Sequence, residues 1–115
     1  MTFKTITQQR DENRIFAGND TAHTATGSNG ITAVTPALTP LMLDAATGKM
    51  IAWDGLNAGT AVGVLVLPLE GTESQLTYWK SGTFATEALL WPENVDAVKK
   101  ANAFVGSAIS HAALP

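Results

Sequence analysis

Apolar residues in this chain come in short runs separated by small polar turns, the pattern of brief strands rather than long helices. Residues 41–43 and 50–53 flank a polar turn ending in Gly48 and predict a β-hairpin, because Gly48 can take the positive φ of a bulged connection. Asp54-Gly55 marks a second reversal. Pro36 and Pro40 keep the incoming chain extended and remove two backbone donors, which suits an edge or a leading segment. Residues 61–67 form a continuous apolar run stopped by Pro68 and predict a strand buried on both faces. Gly63 inside that run signals a bulge or a close backbone approach.

Further along, residues 70–73 are a polar turn, and residues 76–80 alternate loosely as another strand, closed by Ser81-Gly82. Residues 86–90 predict one helical turn ended by Trp91-Pro92. The single convincing helix spans residues 94–103, with Asn94 as its cap, Asp96 in the first turn, and Lys99 and Lys100 toward the negative end of the dipole. Val95, Val98 and either Ala101 or Asn102 give it a narrow apolar stripe that would lie on a sheet. Residues 104–110 predict a final strand.

Residues 1–30 differ from the rest. They are rich in Thr, Gln, Asn and Asp, and Phe3, Ile6, Ile15 and Phe16 are their only sizeable apolar groups. So little apolar surface cannot offset an ordering entropy of roughly 1–2 kcal/mol per residue. Thr2-Phe3-Lys4-Thr5-Ile6-Thr7 nevertheless favours extended structure and suits pairing with a sheet edge offered by a partner. A flexible arm, a first strand of the protein's own sheet and an inert tail all remain open on these residues. With no linker or repeat elsewhere, residues 31–115 form one globular domain.

Composition narrows the chemistry. The chain of 115 residues has no cysteine, which excludes disulfides and thiolate metal sites and fits synthesis in a reducing cytoplasm. No apolar run approaches the roughly 18 residues of a membrane span, and no secretory signal is legible. A net charge of −3 argues against nucleic acid as the partner. Lys4, Arg10 and Arg14 against Asp11 and Glu12 leave residues 1–16 at +1, and so the remainder at −4.

Candidate catalytic groups are sparse. Ser110 and His111 with Asp54 lack the glycine-framed turn of an activated serine, and Asp44 and Asp54 suit turns better than paired acid–base work. No phosphate-binding loop and no metal-ligand cluster is present in the sequence, so an enzyme is not indicated and no cofactor is implied. Trp53, Trp79 and Trp91 suit core or subunit packing; as an exposed platform they would instead make a small β-rich module binding carbohydrate or a host surface.

Leu41-Met42-Leu43-Asp44 and Ala52-Trp53-Asp54-Gly55 open a series of matches to one family. Ala22-His23-Thr24-Ala25-Thr26 precedes them, and Ala61-Val62-Gly63-Val64-Leu65, Tyr78-Trp79-Lys80-Ser81-Gly82-Thr83-Phe84, Leu90-Trp91-Pro92-Glu93 and Ala108-Ile109-Ser110 follow in order. Over residues 20–110 the chain resembles the head decoration proteins of lambda-like phages. The resemblance implies a mixed α+β, β-rich fold with little regular structure, of the β-tulip kind. It implies a homotrimer on threefold sites outside the expanded head, holding the shell against internal DNA pressure. It also selects the arm reading for residues 1–30, with ordering on the major capsid protein through Lys4, Thr5, Ile6, Thr7, Arg14 and Phe16. Asp20, Thr21 and His23 become candidate trimer or coat contacts. Thr21 stands where the family pattern carries a proline, which leaves the local backbone freer.

Overall fold

A computed structural model describes residues 14–114. Seven strands are present: β1 (Thr24–Ser28), β2 (Pro40–Leu43), β3 (Met50–Ala52), β4 (Ala61–Leu65), β5 (Gln75–Trp79), β6 (Ser81–Ala85) and β7 (Ala108–Ala112). A 3-10 turn at Thr86–Ala88 and one short helix, α1 (Ala97–Ala101), complete the described elements. The expected β-rich mixture with one short helix is what forms.

Five strands make an antiparallel sheet in the order β1-β5-β4-β2-β3, and β6 and β7 pair in parallel as a second, two-stranded sheet. The hairpin forms as expected. Leu41 faces Ala52 and Leu43 faces Met50, while Gly48 takes φ +74° and donates to the Asp44 carbonyl at 2.7 Å. The second reversal also forms, with Gly55 at φ +75° and the Leu56 amide donating to the Asp54 carboxylate at 3.0 Å. Pro40 opens β2, the one position of an interior strand that tolerates a missing donor.

β4 is the spine of the larger sheet. Val64 and Leu65, pointing to opposite faces, belong to two separate buried clusters. Around Val64 gather Trp53, Phe84, Leu89, Phe104 and Ile109; around Leu65 gather Ile31, Leu41, Met50, Leu69 and Leu76. Both roles expected of Gly63 are realised. The register shifts beside it, leaving Val62 as the extra residue, and a Cβ at Gly63 would meet the Tyr78 ring at 2.7 Å.

Four boundaries differ from the sequence expectation, each for a local reason. β4 ends at Leu65: the Val66 amide still donates to the Thr77 carbonyl of β5, but Leu67 beyond it is exposed and Pro68 has no amide to extend the ladder. Ser81-Gly82 does not close β5 but opens β6, with Gly82 bending the chain at φ +122°. Asn94 does not cap the helix; it sits at φ +64°, and Asp96 caps instead by accepting from the Lys99 amide at 2.8 Å. No residue of α1 is buried, so the expected stripe fails: Val98 is exposed, and Val95 packs from the turn before the helix. Finally β7 begins at Ala108, because Phe104 to Ser107 form a turn that sends the Phe104 ring into the core. The turn expected at residues 86–90 is the 3-10 turn at Thr86–Ala88.

Candidate docking surface

The described chain starts on the outer edge of β6. Ala85 donates to the Ile15 carbonyl at 2.6 Å, Phe16 bridges Phe84, and Ala17 donates to the Thr83 carbonyl at 3.0 Å. β7 pairs along the other edge of β6, with Ala112 beside Ala85. Ile15 and Ala112 therefore flank the same residue, so both ends of the described chain leave from one end of this three-stranded strip. The Glu87 carboxylate accepts from the Leu114 amide at 3.2–3.3 Å and ties the last residues there.

Phe16 locks the leading segment. Its ring stands edge-on to Trp79 at 5.3 Å and tilted against Phe84 at 4.9 Å. Arg14 folds back over it, its Nε donating to the Phe16 carbonyl at 2.6 Å. Residues 21–23 are stapled by Ser81: its hydroxyl accepts from the His23 amide at 2.9 Å and donates to the Thr21 carbonyl at 3.3 Å. Lys80 adds a bond from its amide to the His23 carbonyl at 2.8 Å. These contacts restrain residues 21–23 against the start of β6. The side chains of Asp20, Thr21 and His23 remain exposed and point outward from this corner.

Of the sequence-derived contact residues, Arg14 and Phe16 lie at the root of the strip, and Asp20, Thr21 and His23 lie at the corner where β5 passes into β6. Residues 14–30, expected within the arm, are hydrogen-bonded to the globule, and β1 lies inside that span. Lys4, Thr5, Ile6 and Thr7 fall outside the described residues. Glu87 and Ala112 were not legible as members of this end, since a parallel pairing between strands far apart in the chain leaves no local signal.

The other candidates find structural partners. Trp53 is 2% exposed and donates through Nε1 to the Thr60 hydroxyl at 2.9 Å. Trp79 and Trp91 are half-buried in the aromatic cluster, and Trp91 donates to the Thr86 carbonyl at 3.1 Å. They pack the core and form no platform. Ser110 and His111 point to opposite faces of β7. The Ser110 hydroxyl meets Thr83 at 2.8 Å, while His111 lies between the Thr86 hydroxyl and the Lys100 carbonyl, 2.7 Å from each. Facing a carbonyl, Nε2 is the donor. Asp44 bonds the Ala46 amide at 2.9 Å as a turn residue. Among the described residues no cluster of three or more His, Cys, Asp or Glu could hold a metal, and no helix is long and apolar enough to cross a membrane.

The family of bacteriophage lambda head decoration protein D matches residues 5–112 of this chain. The chain belongs to that family. The head decoration protein of Enterobacteria phage P21 is 76% identical over 115 residues, all of both chains. A putative decoration protein of Escherichia phage N15 is 46% identical over 106 residues, covering 91% of this chain and 96% of its own. As a decoration-family member the chain is a structural protein of the phage head and not an enzyme. The matched span takes in the whole strip, from Ile15 to Ala112.

Proposed function

We propose that this protein, with a fold of the β-tulip kind, binds the outer face of the expanded phage head as a homotrimer at threefold sites and holds the shell against internal DNA pressure. Its arm, the residues before Ile15, orders on the major capsid protein. The observation that carries this reading is the strip of β7, β6 and residues 15–17, which fixes the root of the arm by the two backbone hydrogen bonds of the Phe16–Phe84 bridge and by the Phe16 ring. An arm rooted so firmly transmits load from its coat contact directly into the core.

The energetics fit. Ordering a flexible segment consumes roughly 2–5 kcal/mol of its contact energy, so a single arm binds weakly. Three arms on one trimer meet three equivalent coat sites, and the first to dock raises the effective concentration of the others. A ligand that binds only the expanded lattice stabilises that lattice by mass action. Thr2 to Thr7, with its strand-favouring residues, suits addition to a sheet edge of the coat.

Removal of residues 1–13 tests the reading, because it spares Arg14 and Phe16. The truncated chain should keep its thermal transition yet fail to co-sediment with emptied, expanded heads. Undiminished co-sedimentation would refute the arm as the coat anchor.

A further inference from the structure

Asn29-Gly30 is the one Asn-Gly pair in the chain, and it sits where the larger sheet closes on itself. β1 and β3 are the two edges of that sheet. Just past β1, the Asn29 amide donates to the Ser74 carbonyl at 3.0 Å, at the entry to β5, while Asn29 bridges Met50 of β3 on its other side. The Gly30 amide completes this seam by donating to the Met50 carbonyl at 2.8 Å. Ile31 and Met50 carry the seam into the buried cluster around Leu65.

Asn29 is buried, 7% exposed, and its side chain is fully engaged. Nδ2 donates to the Glu73 carbonyl at 2.7 Å and to the Ile31 carbonyl at 3.2 Å, and Oδ1 accepts from the Ile31 amide at 2.8 Å. A carboxamide supplies both donors and the acceptor, whereas a carboxylate supplies no donor. Position 30 is constrained as well. A Cβ there would stand 3.0 Å from Ile51 Cγ2 and 3.3 Å from the Met50 carbonyl oxygen. The seam thus requires an asparagine followed by a glycine, and that pair is chemically the least durable of asparagine sequences.

With no Cβ on Gly30, nothing shields its amide nitrogen from the carboxamide carbon of Asn29. When that nitrogen gives up its proton and bonds to Asn29 Cγ, the Cγ–Nδ2 bond breaks and Nδ2 leaves as ammonia, taking up the proton. Water then opens the five-membered imide and leaves aspartate or isoaspartate at position 29. In the closed seam both reacting groups are committed elsewhere: the Gly30 amide to Met50, the carboxamide to Ile31 and Glu73.

We propose that Asn29-Gly30 is a latent self-modification site. The closed seam suppresses deamidation, opening permits it, and the product bars the seam from closing again. A carboxylate at position 29 sets charged oxygens against the Glu73 and Ile31 carbonyls that now receive hydrogen bonds, in a place largely closed to water. Isoaspartate adds a backbone carbon inside the seam. A protein of an assembled head is not renewed, so the change accumulates as a record of openings. The inference is independent of the arm and of how copies associate.

The full-length chain would be held at mildly alkaline pH, folded or in urea, and each asparagine followed by peptide mass spectrometry. Reaction through rare opening scales with the open population, so Asn29 should react about 100-fold or more slowly in the folded chain than in urea. Asn57, exposed in the folded chain and followed by alanine, is the reference and should change far less. Equal rates at Asn29 in the two states would overturn the shielding. The deamidated chain, separated by charge and returned from urea, should melt about 5 °C or more below the unmodified chain, and Asn29→Asp should do the same. An unchanged midpoint in either would overturn the one-way step. Failure of Asn29→Asp to fold would support it, and the rate ratio, read on the unaltered chain, tests the shielding separately.

Discussion

Phe16 anchors the start of the described chain to both β5 and β6. Its ring contacts both Trp79 and Phe84, and its backbone bridges Phe84, so truncation removes packing and leaves a gap beside β6. Phe16→Ala should cost about 2–3 kcal/mol, less than a fully buried phenylalanine, measured by urea denaturation. If the ring were a coat contact only, free-chain stability would not change. Glu73 acts through charge. Its carboxylate takes the amides of Glu70, Gly71 and Thr72 at 2.9–3.2 Å. The Glu70 amide above all, with the Glu73, Gly71 and Thr72 amides, holds its pKa below the usual glutamate range against the opposing effect of burial. A lowered folded pKa stabilises the fold above the unfolded pKa, and the gain is lost as pH falls through the folded value. Glu73→Gln should therefore flatten the decline of stability on the acid side of the usual glutamate range and change little in slope near neutrality. A chemical denaturation series against pH would read both slopes.

At the scale of elements, the passage from β5 into β6 decides how the two sheets join. Gly82 holds φ +122°, and a Cβ there would meet the Ala22 Cβ at 3.0 Å. Gly82→Ala should cost about 2 kcal/mol or more, seen as a lower thermal midpoint, because that backbone region is nearly closed to other residues. Ser81-Gly82 looks like a strand terminator in sequence, and the reason it is not lies elsewhere in the chain: β7, beyond α1, supplies the partner that keeps residues 81–85 extended. The same limit explains the other misplacements. The β2–β3 hairpin was legible because its turn is local and Gly48 marks it. The α1 boundary was not, because Asn94 and Asp96 both suit a cap, and only the positive φ of Asn94 decides between them. Of the docking end, Arg14 and Phe16 were named from the sequence as arm residues. Their attachment to β6 was not legible, since it depends on a bridge from Phe16 to Phe84, with all five strands of the larger sheet lying between them in the chain.

At the scale of the whole molecule, both ends of the described chain leave beside Ala85, where the proposed arm would be rooted. On the proposed reading a lone arm would have few residues to bind with and would be ordered as it docks, which would keep its own affinity low. Three arms on the proposed trimer would escape that limit, because the second and third docking events would no longer be diffusional; gains of roughly 10²–10⁴ from such linkage are ordinary. A synthetic peptide of residues 1–13 should therefore displace the full-length protein from expanded heads only at about 100-fold or greater excess over the chain, in a competition co-sedimentation assay. A peptide that competes at parity would mean that each copy binds alone, and the threefold arrangement would then add nothing to affinity. A peptide with no effect at any excess, alongside loss of binding by the chain lacking residues 1–13, would instead mean that the arm works only when Phe16 holds its root against β6.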